Sequence, residues 1–346
     1  MIRKETILEQ VINGSYKKFS PPIWLLRQAG RYLEEYRKIR KTTKSFLDFC
    51  YDIDKASEVT IQPIKRFNFD AAIIFSDILV IPDACGIDVS FKIGEGPVLE
   101  GFYKEKIKNL NFNKEKLNNV YKAIKKVRTS LEEEKTLIGF AGAPWTLSCY
   151  IIEGGSSKDF TKVREFSYLY PKEFKELIYK LSDSIAEHLV EQVKNGANII
   201  QIFDSWAGIA ASGEEFSKWI IEPTSYIIRK IKNIYPSLPI IGFPRGAGIS
   251  YLPYIEQTKI DVISIDYSAD IKFISQNIDI TIQGNLDPML LKNNIEQALV
   301  VTSNILEIMN KKKFIFNLGH GILPETPVEN VYKLVDFVKN GGGMGD

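Results

Sequence analysis

An α/β chain whose parallel strands close into an eight-fold (β/α)8 TIM barrel is the fold this sequence predicts. Three observations carry that expectation. Short apolar runs recur eight times along the chain, at 23–26, 71–75, 137–140, 199–203, 240–243, 262–265, 281–283 and 314–317. Helix-compatible stretches separate them, and strand–helix alternation implies right-handed βαβ units in a parallel sheet. Eight such units are the number that closes a barrel. The competing doubly wound open sheet usually carries a glycine-rich phosphate turn after its first strand. No G-x-G-x-x-G and no G-x-x-x-x-G-K-S/T occurs here.

Taken in order, the N-terminal M-I-R-K-E-T-I-L-E-Q-V-I places Glu5 and Glu9 among apolar residues. It reads as an amphipathic helix within an N-terminal extension, 1–20, and lacks the apolar core of a signal peptide. Pro21-Pro22 breaks that segment, and the run at 23–26 reads as a buried strand. It ends on Arg27 and Arg31, four residues apart with Ala29-Gly30 between them. After the second run, the alternation over 88–103 with Gly94 and Gly96 suggests an inserted hairpin. In 172–195, Leu177, Leu181, Ile185, Leu189 and Val193 form one apolar stripe. Residues 214–234 open with Gly213 and two glutamates, as a helix N-terminus prefers. Residues 291–310 and 327–340 are also periodic, the second starting at Pro327. The glycines at 341–345 suggest a loose tail. No linker divides the chain, so 1–346 reads as one barrel domain.

The chain has 346 residues and a formal net charge of +2, with both signs interspersed. That distribution argues against a nucleic-acid surface. Cys50, Cys85 and Cys149 are few, odd in number and without C-x-x-C spacing, which suggests a reducing compartment and no disulfide framework. No apolar run approaches the ~20 residues that span a bilayer. The expectation is a soluble, cytoplasmic protein.

In a barrel, chemistry sits where the strands end. Here the run ends deliver Arg27 and Arg31, Asp77, Tyr150, Asp204-Ser205-Trp206, Arg245, Asp266, Asp287 and His320. Polar residues follow all eight runs, which points to a single polar mouth. Arginine binds carboxylate or phosphate through a planar fork, so Arg27 and Arg31 read either as an anion clamp or as surface residues opening a helix. Asp77, flanked by apolar residues, reads either as a desolvated carboxylate facing a cavity or as a helix cap. Tyr150 is a cavity hydroxyl or a core residue. Ser205 lacks the G-x-S-x-G elbow of a hydrolase and reads as a hydrogen-bonding or capping serine. His320 stands between glycines that permit close backbone approach, whereas His188 lies on the leucine-striped helix and reads as structural. With one site histidine and no cysteine near it in sequence, a His/Cys zinc site has little support.

The motifs W-L-L-R-Q-A-G-R-Y, I-I-F-S-D-I-L, G-F-A-G-A-P-W-T-L-S-C-Y-I-I-E-G-G, F-D-S-W-A-G and F-N-L-G-H-G-I-L-P-E-T-P span residues 24 to 327. On these motifs the chain resembles the uroporphyrinogen decarboxylase family of haem biosynthesis. The resemblance implies a (β/α)8 barrel, a homodimer, no cofactor and no metal. It also implies substrate contacts from Arg27, Gln28, Ala29, Gly30, Arg31, Phe46, Asp77, Tyr150, Ser205 and His320, with Asp77, Arg27 and Tyr150 catalytic. Phe46 rests on the local K-S-F-L-D match alone. Arg245, in G-F-P-R-G-A-G, is not placed on a family pattern, so whether it touches substrate stays open.

The implied reaction removes the four acetate carboxyls of uroporphyrinogen III and leaves coproporphyrinogen III. Protonating a pyrrole carbon turns the ring into an internal electron sink, so the family needs no pyridoxal or thiamine group. Asp77 would face the pyrrole N–H groups, and Arg27 and Arg31 the carboxylates. The proton donor stays open between Arg27 and a water relay. A corrinoid-linked methyltransferase of the same superfamily is the competing enzyme reading, but Gly321 and Ile322 follow His320 and no cysteine follows Cys149. A non-catalytic porphyrin-binding barrel is a third reading, one with no need for a carboxylate at Asp77.

Overall fold

The structure, a computed structural model, describes residues 4–343 except 93, 95 and 103. Its centre is a parallel sheet of seven strands. Counting strands in chain order, these are β1 (Ala71–Ile73), β4 (Thr136–Gly142), β5 (Ile199–Asp204), β6 (Ile240–Pro244), β7 (Val262–Ser264), β8 (Thr281–Leu286) and β9 (Phe314–Leu318). They pair in that sequence order. β6, β8 and β9 are buried at every residue, as a sheet covered on both faces requires. β2 (Val89–Lys92) and β3 (Gly96–Leu99) form a separate antiparallel ribbon between the first two strands of the sheet.

The run at 23–26 does not become a strand. Only Ile23 pairs, in a single parallel bridge to Phe316. The Phe316 N–H donates to the Pro22 carbonyl at 2.9 Å, and the Trp24 N–H to the Phe316 carbonyl at 3.4 Å. On the other side the Asp70 N–H donates to the Ile23 carbonyl at 3.0 Å, and the Ile23 N–H to Asp70 Oδ2 at 2.8 Å. The segment therefore lies between the two edge strands and bonds to both. It cannot continue as a strand because the backbone turns at once, with Gln28 N–H on the Leu25 carbonyl and Arg27 at φ +61°.

Helices cover the sheet. The striped helix runs over Pro171–Lys194 and buries Leu177, Leu181, Ile185 and Leu189. The helix expected over 214–234 runs without interruption through Glu214–Phe216, a π-turn at Ser217–Ile221, and Glu222–Ile234. Pro223 has no N–H to donate back along the helix, and the wider turn sits immediately before it. The stretch at 291–310 is two helices, Pro288–Asn293 and Ile295–Met309, with the Asn294 side chain capping the second. Pro327 is the residue before the helix Val328–Lys339, one position earlier than a first helical residue. Gly341 and Gly342 are buried, and the Gly342 carbonyl accepts from Ser303 Oγ at 3.3 Å, so this part of the expected loose tail is packed. Residues 344–346 lie outside the described residues.

At the other end of the chain, the helix Ile7–Asn13 buries Ile7, Leu8 and Val11 against the start of β4. Its Ile7 N–H donates to the Glu134 carbonyl at 2.8 Å and its Leu8 N–H to Thr136 Oγ1 at 3.1 Å. Among the described residues no helix is long and apolar enough to cross a membrane. Cys50, Cys85 and Cys149 are buried free thiols.

Among the described residues, Asp70 supplies the one side-chain acceptor that fastens the 22–24 segment beside β1. Replacing it by Ala leaves the buried Ile23 N–H without that partner, so Asp70→Ala is expected to lower unfolding stability by about 1–3 kcal/mol in urea titration. An unchanged midpoint and slope would show that the segment is held elsewhere.

Candidate functional site

The site grows from the turn that follows Leu26. Leu26 N–H donates to Asn317 Oδ1 at 2.8 Å, and the Leu26 carbonyl accepts the Ile322 N–H at 2.9 Å. Gln28 is fully buried. Its Oε1 accepts the Leu25 N–H at 3.1 Å and its Nε2 donates to the Ala71 carbonyl at 3.0 Å. Its own carbonyl takes the Tyr32 hydroxyl at 2.9 Å. Both flanks of Arg27 are thus fixed while its side chain projects from an exposed residue. A Cβ on Gly321 would collide with the Arg27 side chain, and one on Gly319 with the Tyr267 backbone. The glycines of G-H-G are there because other chain passes over them.

Arg27 acts electrostatically on three groups. Burial pushes the Asp77 carboxyl up, and the Leu79 N–H and Arg27 pull it part of the way back. Asp77 Oδ1 accepts that N–H at 2.8 Å, so the residue both caps a turn and stands at the mouth. Burial also raises Tyr150, which feels both Asp77 and Arg27. His320 is held down at about 3, first by burial and then by Arg27 and Arg245, with Asp266 opposing. Its imidazole is neutral in any ordinary buffer.

Arg31 is exposed on the rim, where its charge and that of Asp77 both reach the Tyr36 hydroxyl. Ala29 and Gly30 are half-buried between the two arginines. Phe46 packs on Phe75 at 5.9 Å and on Phe91 of the β2–β3 ribbon at 4.8 Å between ring centres. Arg40 lies over the same ring.

Across the mouth, β5 ends on Asp204-Ser205-Trp206. Thr146 Oγ1 donates to Asp204 Oδ1 at 2.6 Å and accepts the Trp206 N–H at 3.1 Å, so both neighbours of Ser205 are pinned. Asp204 is enclosed and is pushed up to about 7 by burial, with the Thr146 bonds opposing. Trp206 lies against Tyr150 at 6.3 Å between ring centres, and its indole N–H opposes the upward push of burial on the Tyr150 hydroxyl. Ser205 and Trp206, with Arg245, Gly246, Asp266 and Tyr267 among others, line a cavity of about 240 Å³. Among the described residues no ion pair holds Arg27, Arg31 or Arg245.

A sequence profile described as uroporphyrinogen decarboxylase (URO-D) matches residues 4–341. A protein named uroporphyrinogen decarboxylase from Rickettsia africae (strain ESF-5) is 49% identical over 338 residues, covering 96% of this chain and 97% of the relative. The protein of the same name from Rickettsia bellii (strain RML369-C) is 52% identical over 322 residues, covering 92% and 94%. The chain belongs to the uroporphyrinogen decarboxylase family. Among solved structures, a methyltransferase from Methanosarcina mazei superposes with a TM-score of 0.80 at 16% identity, over 97% of this chain and 99% of that one. A B12-independent methionine synthase from Shewanella sp. W3-18-1 superposes with a TM-score of 0.54 at 10% identity, over 98% of each chain. At such identities the likeness is one of fold alone.

For a member of the uroporphyrinogen decarboxylase family, the distribution of polar groups is informative. Arg27, Asp77, Tyr150 and His320 come from four separate segments and share one electrostatic neighbourhood. Ser205 stands on the cavity side of the same mouth. Gln28 differs: its amide, N–H and carbonyl are all engaged within the protein, so it holds the arginine turn. His188, bonded to the Tyr121 hydroxyl at 3.1 Å, is buried away from the mouth and held at about 3 by burial. Among the described residues no three of His, Cys, Asp and Glu gather as a metal cage. Asn317 and Thr146 were not singled out from the sequence, because an isolated Asn or Thr in an apolar run carries no signal of what it will touch.

The chain has only two histidines, so their ring signals are separable. Both are expected to stay neutral, with no NMR titration between pH 8 and 5. In that case the unfolded chain binds protons below about pH 6.5 that the folded chain refuses until about pH 3. Stability contributed by these two sites is therefore present above pH 6.5 and falls as the pH drops through that window. A ring that titrates near 6.5 is not desolvated as described.

Proposed function

We propose that this protein decarboxylates the four acetate arms of uroporphyrinogen III to give coproporphyrinogen III and CO2, in haem biosynthesis. The reading is supported above all by one observation: the charge of Arg27 acts on Asp77, Tyr150 and His320, which come from three other segments of a chain of this family. The sheet itself is read as a (β/α)8 barrel whose first stave is the 22–24 segment, with 1–346 as one domain. A homodimer in the cytoplasm belongs to the same reading.

Each arm follows the same balance. A proton added to a ring carbon makes the pyrrole cationic. The C–C bond to the carboxylate then breaks, its electron pair enters the ring, and CO2 leaves. The exocyclic methylene takes a proton to become a methyl group, and the ring carbon returns its own. One proton is consumed per CO2. Asp77 accepts the pyrrole N–H groups and stabilises the cation in a site whose dipoles are already set. A cation arriving beside its enclosed carboxyl favours the ionised form, reversing the upward push of burial. Arg27 and Arg31 bind the carboxylate arms and align them. Neutral His320, Tyr150 and Ser205 contribute hydrogen bonds without adding charge, and Phe46 packs against the macrocycle. Ala29 and Gly30 bring backbone close between the two arginines, and Gln28 keeps their turn in register.

The deciding experiment is anaerobic incubation with uroporphyrinogen III under reducing conditions. Coproporphyrinogen III is the expected product, and its absence would overturn the reading. Asp77→Asn is expected to retain the fold and the melting temperature while turnover falls about 10²–10³-fold. Unimpaired turnover would remove the cation-stabilising role.

Gly321→Ala tests the arginine turn independently. The added methyl occupies space taken by the Arg27 stem, so kcat/KM is expected to fall about a hundredfold in a folded protein. Wild-type activity in that variant would mean that Arg27 need not stand where it does.

A further inference from the structure

The arginine turn covers one side of the mouth only. In the sheet order, three strands separate the 22–24 segment from β6 in either direction: β1, β4 and β5 one way, β9, β8 and β7 the other. Arg245, directly after β6, therefore stands across the mouth from Arg27. Its backbone is fixed on the β5 side, with its N–H on the Asp204 carbonyl at 3.1 Å and its carbonyl accepting the Gly208 N–H at 2.9 Å. Gly208 and Gly246 allow this close approach, since a Cβ on Gly208 would stand 2.8 Å from the Gly246 oxygen.

The side chain is not committed in the same way. Among the described residues, Arg245 has no ion pair, and its guanidinium reaches only the Tyr267 hydroxyl, at 3.4 Å. Asp266 lines the same cavity, and its acceptor positions are filled. Oδ2 takes the Gly246 N–H at 2.6 Å and the Tyr251 hydroxyl at 2.7 Å. Oδ1 takes the Ser268 N–H at 2.8 Å and the Ser268 hydroxyl. Burial works to raise Asp266, but those bonds outweigh it and keep the carboxyl ionised, which tempers the cationic field of the cavity without capping the guanidinium. What remains is a half-buried arginine fork beside Ser205 on the wall of a cavity of about 240 Å³.

A tetrapyrrole carries acidic arms around its whole rim, so a clamp on one side leaves the far arms without a countercharge. We propose that Arg245, with the hydroxyls of Ser205 and Tyr267, forms a second carboxylate subsite for the arms opposite Arg27 and Arg31. The proposal rests on the decarboxylase reading above. A planar fork pairs with a carboxylate through two parallel hydrogen bonds, which a lysine at the same place would only partly replace.

The test uses the full chain in Arg245→Gln, Arg245→Lys and Arg27→Gln forms. Anaerobic kinetics with uroporphyrinogen III are read beside fluorescence titration of oxidised uroporphyrin, which reports affinity without turnover. Arg245→Gln is expected to raise KM and the porphyrin Kd about ten- to hundredfold, with kcat and melting temperature little changed. Arg245→Lys should recover part of that loss. Unchanged KM and Kd in Arg245→Gln, alongside a raised KM in Arg27→Gln, would overturn the second subsite and leave the decarboxylase reading standing. A fall in kcat with unaltered affinity would also overturn it. Should Arg245→Gln fail to fold, the Lys form decides: wild-type KM and Kd there would show that no fork is read at this position. No turnover of uroporphyrinogen by the unmodified protein would remove both readings together.

Discussion

The rest of the site depends on how one short segment fills the gap between β1 and β9. Residues 22–24 bond to both edge strands, yet the chain does not run on as a strand. Side chains replace the missing ladder. The carboxylate of Asp70, the amide of Asn317 and the amide of Gln28 take the backbone N–H groups of Ile23, Leu26 and Leu25. A buried N–H without an acceptor is costly, so these three bonds fix the path of the turn. Because that turn is fixed, a long flexible arginine leaves it from a defined point, over a glycine that leaves room for its stem.

The electrostatics of the mouth follow from that placement. A cation reaches the edge of a region where burial would otherwise neutralise carboxyls and imidazoles alike. Burial acts in opposite directions on the two types: it raises Asp77 and Asp204 and lowers His320. Arg27 opposes burial at Asp77 and reinforces it at His320, since a positive neighbour favours a carboxylate and disfavours an imidazolium. The result, among the described residues, is a set of cations without ion pairs around a carboxyl and a neutral histidine, an arrangement suited to a polyanion that becomes locally cationic as it reacts.

How much of this was legible beforehand differs by type of feature. Seven apolar runs and the helices between them follow from periodicity, and the structure places strands on all seven. The candidate residues were legible as chemistry after the runs: Arg27, Asp77, Ser205 and His320 follow closely, and Tyr150 comes from within the helix Pro144–Glu153 that follows β4. Residues 23–26 misled because an apolar run after prolines has the composition of a strand whether or not the backbone stays extended, and here it turns between Leu25 and Gln28. The π-turn before Pro223 and the capping role of Asn294 were similarly hidden, since the apolar stripe continues across each of them.

Sequence alone determined the α/β class, the order of polar residues at the strand ends and the family, because hydrophobic period and motif content are local properties of the chain. Only the tertiary structure decided which of those polar residues are already satisfied. Gln28, a substrate contact by resemblance, has its amide engaged in holding a turn, while Arg245, not placed on a family pattern, reaches only the Tyr267 hydroxyl among the described residues. The physical reason is that hydrogen-bond satisfaction belongs to pairs of atoms hundreds of residues apart, such as Leu26 and Asn317, and no spacing along the chain encodes which pair will form.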